Sequence, residues 1–520
     1  MTASAYEEIT YPDGRHALAH PEAVADSPLY NEDLAPVPLE RRTWTTYAYL
    51  ALWIGLSVNV ASWTLAAALI ALGMDWVQAL FTIMLANIIV LVPMLLNGHA
   101  GTKYGIPFPV FARSAFGTIG ANIPALLRAG VACGWFGIQT WIGGSAIFVL
   151  VGAIFPDSSW TNASTFGIGF GDPQPWTMWL SFVIFWVMNL YIVLRGMETL
   201  RIFESWSAPF LIAVTLLLAV FMVVSAGDLG AVLAQPNKFG GWTGDFWKVF
   251  FPGLMAMIAF WSTLSLNIPD FTRFGQSQRA QVVGQAVGLP ATMTLFSLVA
   301  VITAAASATV YGEVIWDPTA LAGRFPNAIV IAVALVALII ATLTTNVAAN
   351  LVSPSYDFSN LSPRRISFRT GGIITAILAV VIQPWYLYSN PDVYVFTWLG
   401  FYGGALGAVA GVLIADYWFL KGTRLRLGDL YRTNGIYSAF NWRGVVALAI
   451  GAVLAVGGAY SAPGTGPFPE GGLIGFLQPL YDYSWIVGTV AGFLAYAILA
   501  KVFPERTAEA EPEGYSPEMA

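Results

Sequence analysis

Twelve apolar runs fill the chain between residues 46 and 502, separated by short polar connections. They cover 46–72, 76–98, 121–154, 175–194, 199–226, 249–271, 283–309, 327–353, 370–388, 393–418, 443–461 and 483–502. A helix that crosses a bilayer needs roughly 20 apolar residues. Hydrocarbon offers no partner to an unpaired backbone group, so such runs cross as helices. The pattern predicts an all-α polytopic membrane protein with twelve transmembrane helices. Only 10% of residues are charged, against roughly 25% in a soluble chain. This excludes a soluble multidomain enzyme, a disordered chain and a disulfide-built secreted domain. Cys133 is the one cysteine and has no internal partner. The three histidines, His16, His20 and His99, are too scattered for a zinc or haem site. No cofactor is expected, and a net charge of −6 gives no sign of nucleic-acid binding.

Residues 1–44 are polar and lack the basic-then-apolar order of a signal peptide, so they read as a cytoplasmic tail. Residues 503–520 read as a second one. The third run is long enough to tilt in the bilayer. Non-helical backbone is expected between runs 2 and 3 and after run 8, covered by protein or water. Lysine and arginine set the orientation. With the N-terminus inside, 19 of them fall in cytoplasmic segments and three, Lys238, Lys248 and Arg324, fall outside. Arg128, near a helix start, belongs to neither set.

Three runs carry unusual polarity. Run 1 has Gly55, Ser57 and Asn59 and run 6 has Ser265 through Pro269, the places where each helix is expected to unwind; run 8 has Thr342, Thr344, Thr345, Asn346 and Asn350. Breaks at matching places in two halves of a chain point to a transporter's binding site. An ordinary proline kink is the alternative for run 6 alone. Runs 1 and 6 lie five apart, which suggests two repeats, 45–226 and 249–418, of opposite topology because five is odd. The runs within 443–502 are extra. The glycines, 51 in all, read first as close helix packing. Asp270 and Arg273 are one turn apart and read as an end-of-helix pair.

Run 3 places Trp135 and Gln139 four residues apart, on one helix face. An indole face one turn from an amide suits a flat, neutral, hydrogen-bonding ring. Packing is the alternative for both Trp135 and Trp141. Charges are absent from the middle of runs 1, 3 and 8, which favours a neutral polar substrate. A membrane enzyme would need a nucleophile or metal ligands that these runs lack.

Five stretches resemble the nucleobase:cation symporter-1 family in the same order. They are Asn31 to Pro36 with Arg42-Thr43-Trp44, Asn97 to Val110, Gly134 to Trp141, Asn267 to Phe274 (NIPDFTRF) and Thr345 to Asn350. Within the family they are most similar to bacterial allantoin and uracil permeases, and less so to the hydantoin transporter. The resemblance implies a LeuT-type fold of two inverted five-helix repeats plus two C-terminal helices, in a bacterial inner membrane. It implies symport of a nucleobase or cyclic ureide with a cation, by alternating access. It implies that Trp135 and Trp261 sandwich the ring, with Gln139 and Asn350 as polar partners. Asn59 stands where the hydantoin transporter has a glutamine, and Phe260 where it has a glycine; both imply a different ligand from a bulky 5-substituted hydantoin. The family's sodium site maps to the carbonyls of Gly55, Val58 and Ala341 and the hydroxyls of Thr344 and Thr345. Sodium fits such a set, and coupling to protons stays open. A symporter of the same fold for another small polar substrate, such as an amino acid, is the rival reading. The expected partners are the ring, the cation and the lipid bilayer, with no obligate protein partner.

Overall fold

A computed structural model describes residues 7–504, apart from 157, 158, 196, 236, 392, 462 and 465. The chain is almost wholly helical. It runs α1 (Thr46–Ser57), α2 (Val60–Ala71), α3 (Trp76–Tyr104), α4 (Phe108–Phe116), α5 (Asn122–Ile154), α6 (Trp176–Arg195) and α7 (Met197–Ala226). After α8 (Leu229–Leu233) come α9 (Gly244–Phe260), α10 (Ser262–Asn267), α11 (Pro269–Thr272) and α12 (Gln278–Tyr311). Then follow α13 (Pro318–Gly323), α14 (Ala328–Asn350), α15 (Val352–Leu361), α16 (Phe368–Val381) and α17 (Pro384–Leu387). The last are α18 (Gly400–Ile414), flanked by π-helical turns, α19 (Trp442–Val456), α20 (Gln478–Tyr481) and α21 (Ser484–Val502). Two short antiparallel hairpins, Glu8–Thr10 with His16–Leu18 and Thr165–Phe166 with Gln174–Pro175, are the sheets among the described residues.

Local chemistry sets the helix ends. Asp75 and Gln78 form a reciprocal capping box at the start of α3, and Gly105 closes it at φ 72°. Ser277 accepts from the Ala280 N–H at the start of α12. Each of the twelve apolar runs carries helix. Six continuous helical stretches among the described residues are long and apolar enough to cross a bilayer; α1 and α2, bent by 58°, make a seventh when taken as one span. The helix of run 6 is interrupted and those of runs 9 and 11 are shorter (14 and 15 residues), so length and apolarity of the described residues alone yield fewer spans than the twelve expected. The outward faces of the helices are apolar: Val92, Leu217, Val224, Leu295, Ile329 and Ile498 are all exposed. A water-soluble surface does not carry so continuous an apolar belt.

The expectation of non-helical backbone holds in part. Between runs 2 and 3 it is confined to 105–107 and 117–121, mostly buried by protein, on either side of the helix α4, which is buried at every residue. After run 8 the chain continues as α15 and is non-helical only over 362–367.

Runs 1 and 6 are antiparallel. Just before α1, the Trp44 N–H donates to the Phe274 carbonyl (2.8 Å), and the Gln276 N–H donates to the Trp44 carbonyl (3.0 Å). The start of run 1 therefore lies beside the end of run 6. Later helices close through small residues: a Cβ on Gly411 of α18 would sit 2.1 Å from the Thr489 carbonyl of α21.

The N-terminal segment is folded onto the helices rather than trailing from them. Leu34 is fully buried. The Val37 N–H donates to the Gly105 carbonyl (2.9 Å), and the Tyr431 hydroxyl donates to the Leu34 carbonyl (2.7 Å). Arg42 donates to the carbonyls of Val37 (2.8 Å) and His16 (2.9 Å). Residues 505–520, the greater part of the C-terminal tail, lie outside the described residues.

Candidate functional site

The polar residues of run 1 break its helix. α1 ends at Ser57, Val58 leaves helical geometry (φ −85°, ψ 78°), and Asn59 is extended and caps α2. Asn59 Oδ1 accepts from the Ser62 N–H (2.9 Å). Its Nδ2 donates to the Leu56 carbonyl and to Ser62 Oγ. Both ends of the Asn59 amide therefore hold the break itself together. In run 6, α9 stops at Phe260 and α10 starts at Ser262. Trp261 between them has ψ 2°.

The two breaks meet through aromatic rings. Trp53 of α1 packs edge-on against Trp261, centroids 5.2 Å apart. Trp261 contacts Phe260 at 4.8 Å, and Phe260 contacts Trp135 of α5 at 5.1 Å, both edge-to-face. Phe260 thus lies between the two tryptophans expected to sandwich a ring. Trp135 also meets Tyr394 (6.0 Å), Trp398 (6.3 Å) and Tyr402 (6.4 Å). Trp141 belongs elsewhere, among Trp179, Phe182 and Trp385.

Amides set the polar side. Asn350 Nδ2 donates to Asn346 Oδ1 (3.1 Å). Asn346 Nδ2 in turn lies within reach of the Phe136 carbonyl, Thr140 Oγ1 and Asn189 Oδ1. This chain holds the Asn350 amide by its nitrogen and leaves the oxygen to accept. Gln139 Oε1, Trp261 Nε1 and Trp53 Nε1 are buried without a hydrogen-bond partner. Buried polar groups are rarely left so. The site offers a bare acceptor and bare indole donors beside aromatic faces, which matches a flat ring bearing N–H and C=O groups.

Of the expected cation ligands, Gly55 lies on α1 and Ala341, Thr344 and Thr345 on α14, a helix that touches both α1 and α2. Thr344 Oγ1 is 2.9 Å from the Ala341 carbonyl and 3.1 Å from that of Ile340, so its proton is turned back onto its own helix. Its lone pairs stay available. Thr345 is buried, Val58 lies in the unwound segment, and nothing approaches within 4 Å of a Cβ built on Gly55. Uncharged carbonyl and hydroxyl oxygens of this kind fit a hard monovalent cation. No cluster of three or more metal-ligating His, Cys, Asp or Glu side chains occurs among the described residues.

Charge is arranged otherwise than the sequence suggested. Asp270 and Arg273 do not pair. Asp270 Oδ1 accepts the Phe108 N–H (2.8 Å), capping α4, while Arg273 donates to the Asp33 carbonyl (3.0 Å). Arg128 and Asp357 form an ion pair (3.1 Å) between α5 and α15, both side chains fully buried. Neither this pair nor the Asn346–Asn189 contact was anticipated; both join residues more than 150 positions apart. A lone basic residue inside an apolar helix was the signal available for the first.

Broken helices around a ring-lined, uncharged site define a polytopic membrane transporter. Residues 36–488 match the family model described as "Permease for cytosine/purines, uracil, thiamine, allantoin". An allantoin permease of Bacillus subtilis is 40% identical, over 92% of this chain and 94% of its own. A purine-uracil permease of Arabidopsis thaliana is 39% identical, over 92% of this chain and 79% of its own. Among solved structures, the transporter Mhp1 is 25% identical over 92% of this chain. Its closed conformation with bromovinylhydantoin bound (98% of that chain) superposes with a TM-score of 0.72, and its inward-facing conformation (96%) with 0.71. The chain belongs to the nucleobase:cation symporter-1 family.

Proposed function

We propose that this protein is a secondary active transporter that imports a neutral cyclic ureide or nucleobase, of the allantoin, uracil or hydantoin kind, together with a cation. The observation that carries the reading is the pairing of aromatic faces with unpartnered buried polar atoms at Trp135, Gln139 and Trp261. The ring stacks on Trp135 and Trp261 and bonds to Gln139 and Asn350. The relatives named as allantoin and purine-uracil permeases support this substrate class. Phe260 fills part of the space between the tryptophans, which favours a small ring over a bulky 5-substituted hydantoin.

Sodium is the coupling ion we favour, held by the carbonyls of Gly55, Val58 and Ala341 and the hydroxyls of Thr344 and Thr345. The chain crosses an inner membrane twelve times with both termini in the cytoplasm. It is built as two inverted repeats, 45–226 and 249–418, with the helices of 443–502 added. The antiparallel course of runs 1 and 6, in which Tyr49 lies by Thr272 and Trp53 by Trp261, supports the inversion. One body carries runs 1, 2, 6 and 7, and the other runs 3, 4, 8 and 9. Ring and ion each touch both, so each favours the closed state, as coupling requires.

The test is uptake of labelled allantoin, uracil and hydantoin into proteoliposomes, with and without a sodium gradient. Accumulation of one ring only under the sodium gradient is expected. Accumulation that ignores sodium but follows a proton gradient overturns the ion assignment, and failure of every ring overturns the substrate class.

A further inference from the structure

Trp135 does not stand alone in its wall of the site. Its indole Nε1–H donates to the Tyr402 hydroxyl at 2.9 Å. That same hydroxyl donates its own proton to the Ala259 carbonyl at 2.9 Å. Tyr402 lies on α18, Trp135 on α5 and Ala259 on α9. One buried phenol therefore joins three elements that are distant in sequence.

The two partners are the ones that need it. An indole nitrogen can only donate. The Ala259 carbonyl lies one residue before the end of α9, where carbonyls lose their intrahelical partners. A hydroxyl can accept from the first and donate to the second at once; a phenyl ring can do neither. The backbone is shaped for this approach. A Cβ on Gly403, the neighbour of Tyr402, would sit 2.4 Å from the Ala259 Cβ. A Cβ on Gly134, the neighbour of Trp135, would sit 2.2 Å from the Trp398 ring, and that ring packs on Tyr402 at 4.8 Å. Glycine beside each of the two hydrogen-bonded residues lets α18 come close to α9 and the π-helical turn before it come close to α5.

We propose that Tyr402 is a positioning residue for the ring site: it fixes the rotation of the Trp135 indole and ties it to the break that carries Phe260 and Trp261. The proposal rests on the stacking role of Trp135 set out above. Tyr402 acts through Trp135. Without the hydroxyl, the indole loses its partner and the Ala259 carbonyl keeps only the approach of the Trp261 N–H, and the indole turns away from the plane a flat ring needs.

The test is a cycle of Tyr402→Phe, Trp135→Phe and the double variant in reconstituted vesicles. Binding and uptake are measured with whichever of allantoin, uracil and hydantoin the unaltered protein takes up. Tyr402→Phe is expected to raise Kd and KM about tenfold, the worth of a buried hydrogen bond, with Vmax changed less than twofold. In the Trp135→Phe background, which already lacks the indole N–H, the same change is expected to add less than twofold. Additive losses in the cycle, or Tyr402→Phe binding and transporting as the unaltered protein does, overturn the proposal. If Tyr402→Phe does not fold, Trp135→Phe alone decides: it removes the same hydrogen bond, keeps a ring, and must show the same rise in KM. If the unaltered protein takes up none of these rings, it is the substrate class that fails, a result separate from the outcome for Tyr402.

Discussion

The hydroxyls of Thr64 and Tyr388 lie 3.1 Å apart and join α2, beyond the first break, to the residue after α17. Thr64 spends its proton on the Val60 carbonyl (2.9 Å), so Tyr388 is the donor between them. Because runs 1 and 6 are antiparallel, α2 and α10 point to opposite ends of the protein. At the α10 end, Asn267 Nδ2 donates to Ser353 Oγ of α15. On the proposed reading, these two hydrogen bonds bracket the ring site. Removing one bond of about 1 kcal/mol shifts an open–closed equilibrium roughly fivefold. Tyr388→Phe is expected to open the α2 end, and Asn267→Ala the α10 end. Maleimide labelling of single cysteines placed at either end reads this, and the buried Cys133 adds little background. Equal labelling of both variants at both ends contradicts the bracket.

Trp135→Ala and Trp261→Ala each remove a stacking face. Aromatic stacking on a base is worth roughly 1–3 kcal/mol by analogy with nucleic-acid binding, so each variant should bind the ring about tenfold more weakly or worse. Isothermal titration of the purified variants measures it.

Phe260 stands edge-on to both Trp135 and Trp261. Phe260→Gly is expected to admit hydantoins with large 5-substituents that the unaltered protein rejects, and to weaken binding of the unsubstituted ring. Competition against the labelled natural ring, with a series of 5-substituted hydantoins, gives the answer.

The Arg128–Asp357 pair is sealed from solvent. Asp357→Asn leaves a buried guanidinium without its counter-charge, which costs about 3–5 kcal/mol. The double change Arg128→Met with Asp357→Leu removes both charges and should recover much of that loss. Thermal denaturation in detergent followed by size exclusion compares them; a single variant as stable as the parent contradicts the burial.

Much of this was legible in one dimension because apolar runs make polar residues conspicuous. Asn59 lies at the break expected in run 1, whereas run 6 breaks at Trp261, ahead of the expected Ser265 to Pro269; Trp135 and Gln139 share a helix face by spacing alone. Function of the side chain was harder to read than its place. Asn59, expected at the ligand, is spent on Leu56 and Ser62, because a freed helix start takes the nearest amide. Asp270 and Arg273, one turn apart, each found a better partner across the fold. Tyr402, Asn346 and Asn189 act through residues far along the chain, and local pattern carries no trace of such contacts.

The N-terminal segment carries one more consequence, for biosynthesis. Leu34 is bonded to Tyr431, 397 residues later, and Glu8 accepts from the Leu427 N–H, 419 residues later. At about 5–20 residues per second, a ribosome delivers those partners roughly 20–80 s after the segment that awaits them. This segment thus waits for its seat while α1 to α18 are made, and it clasps them only after they have been inserted.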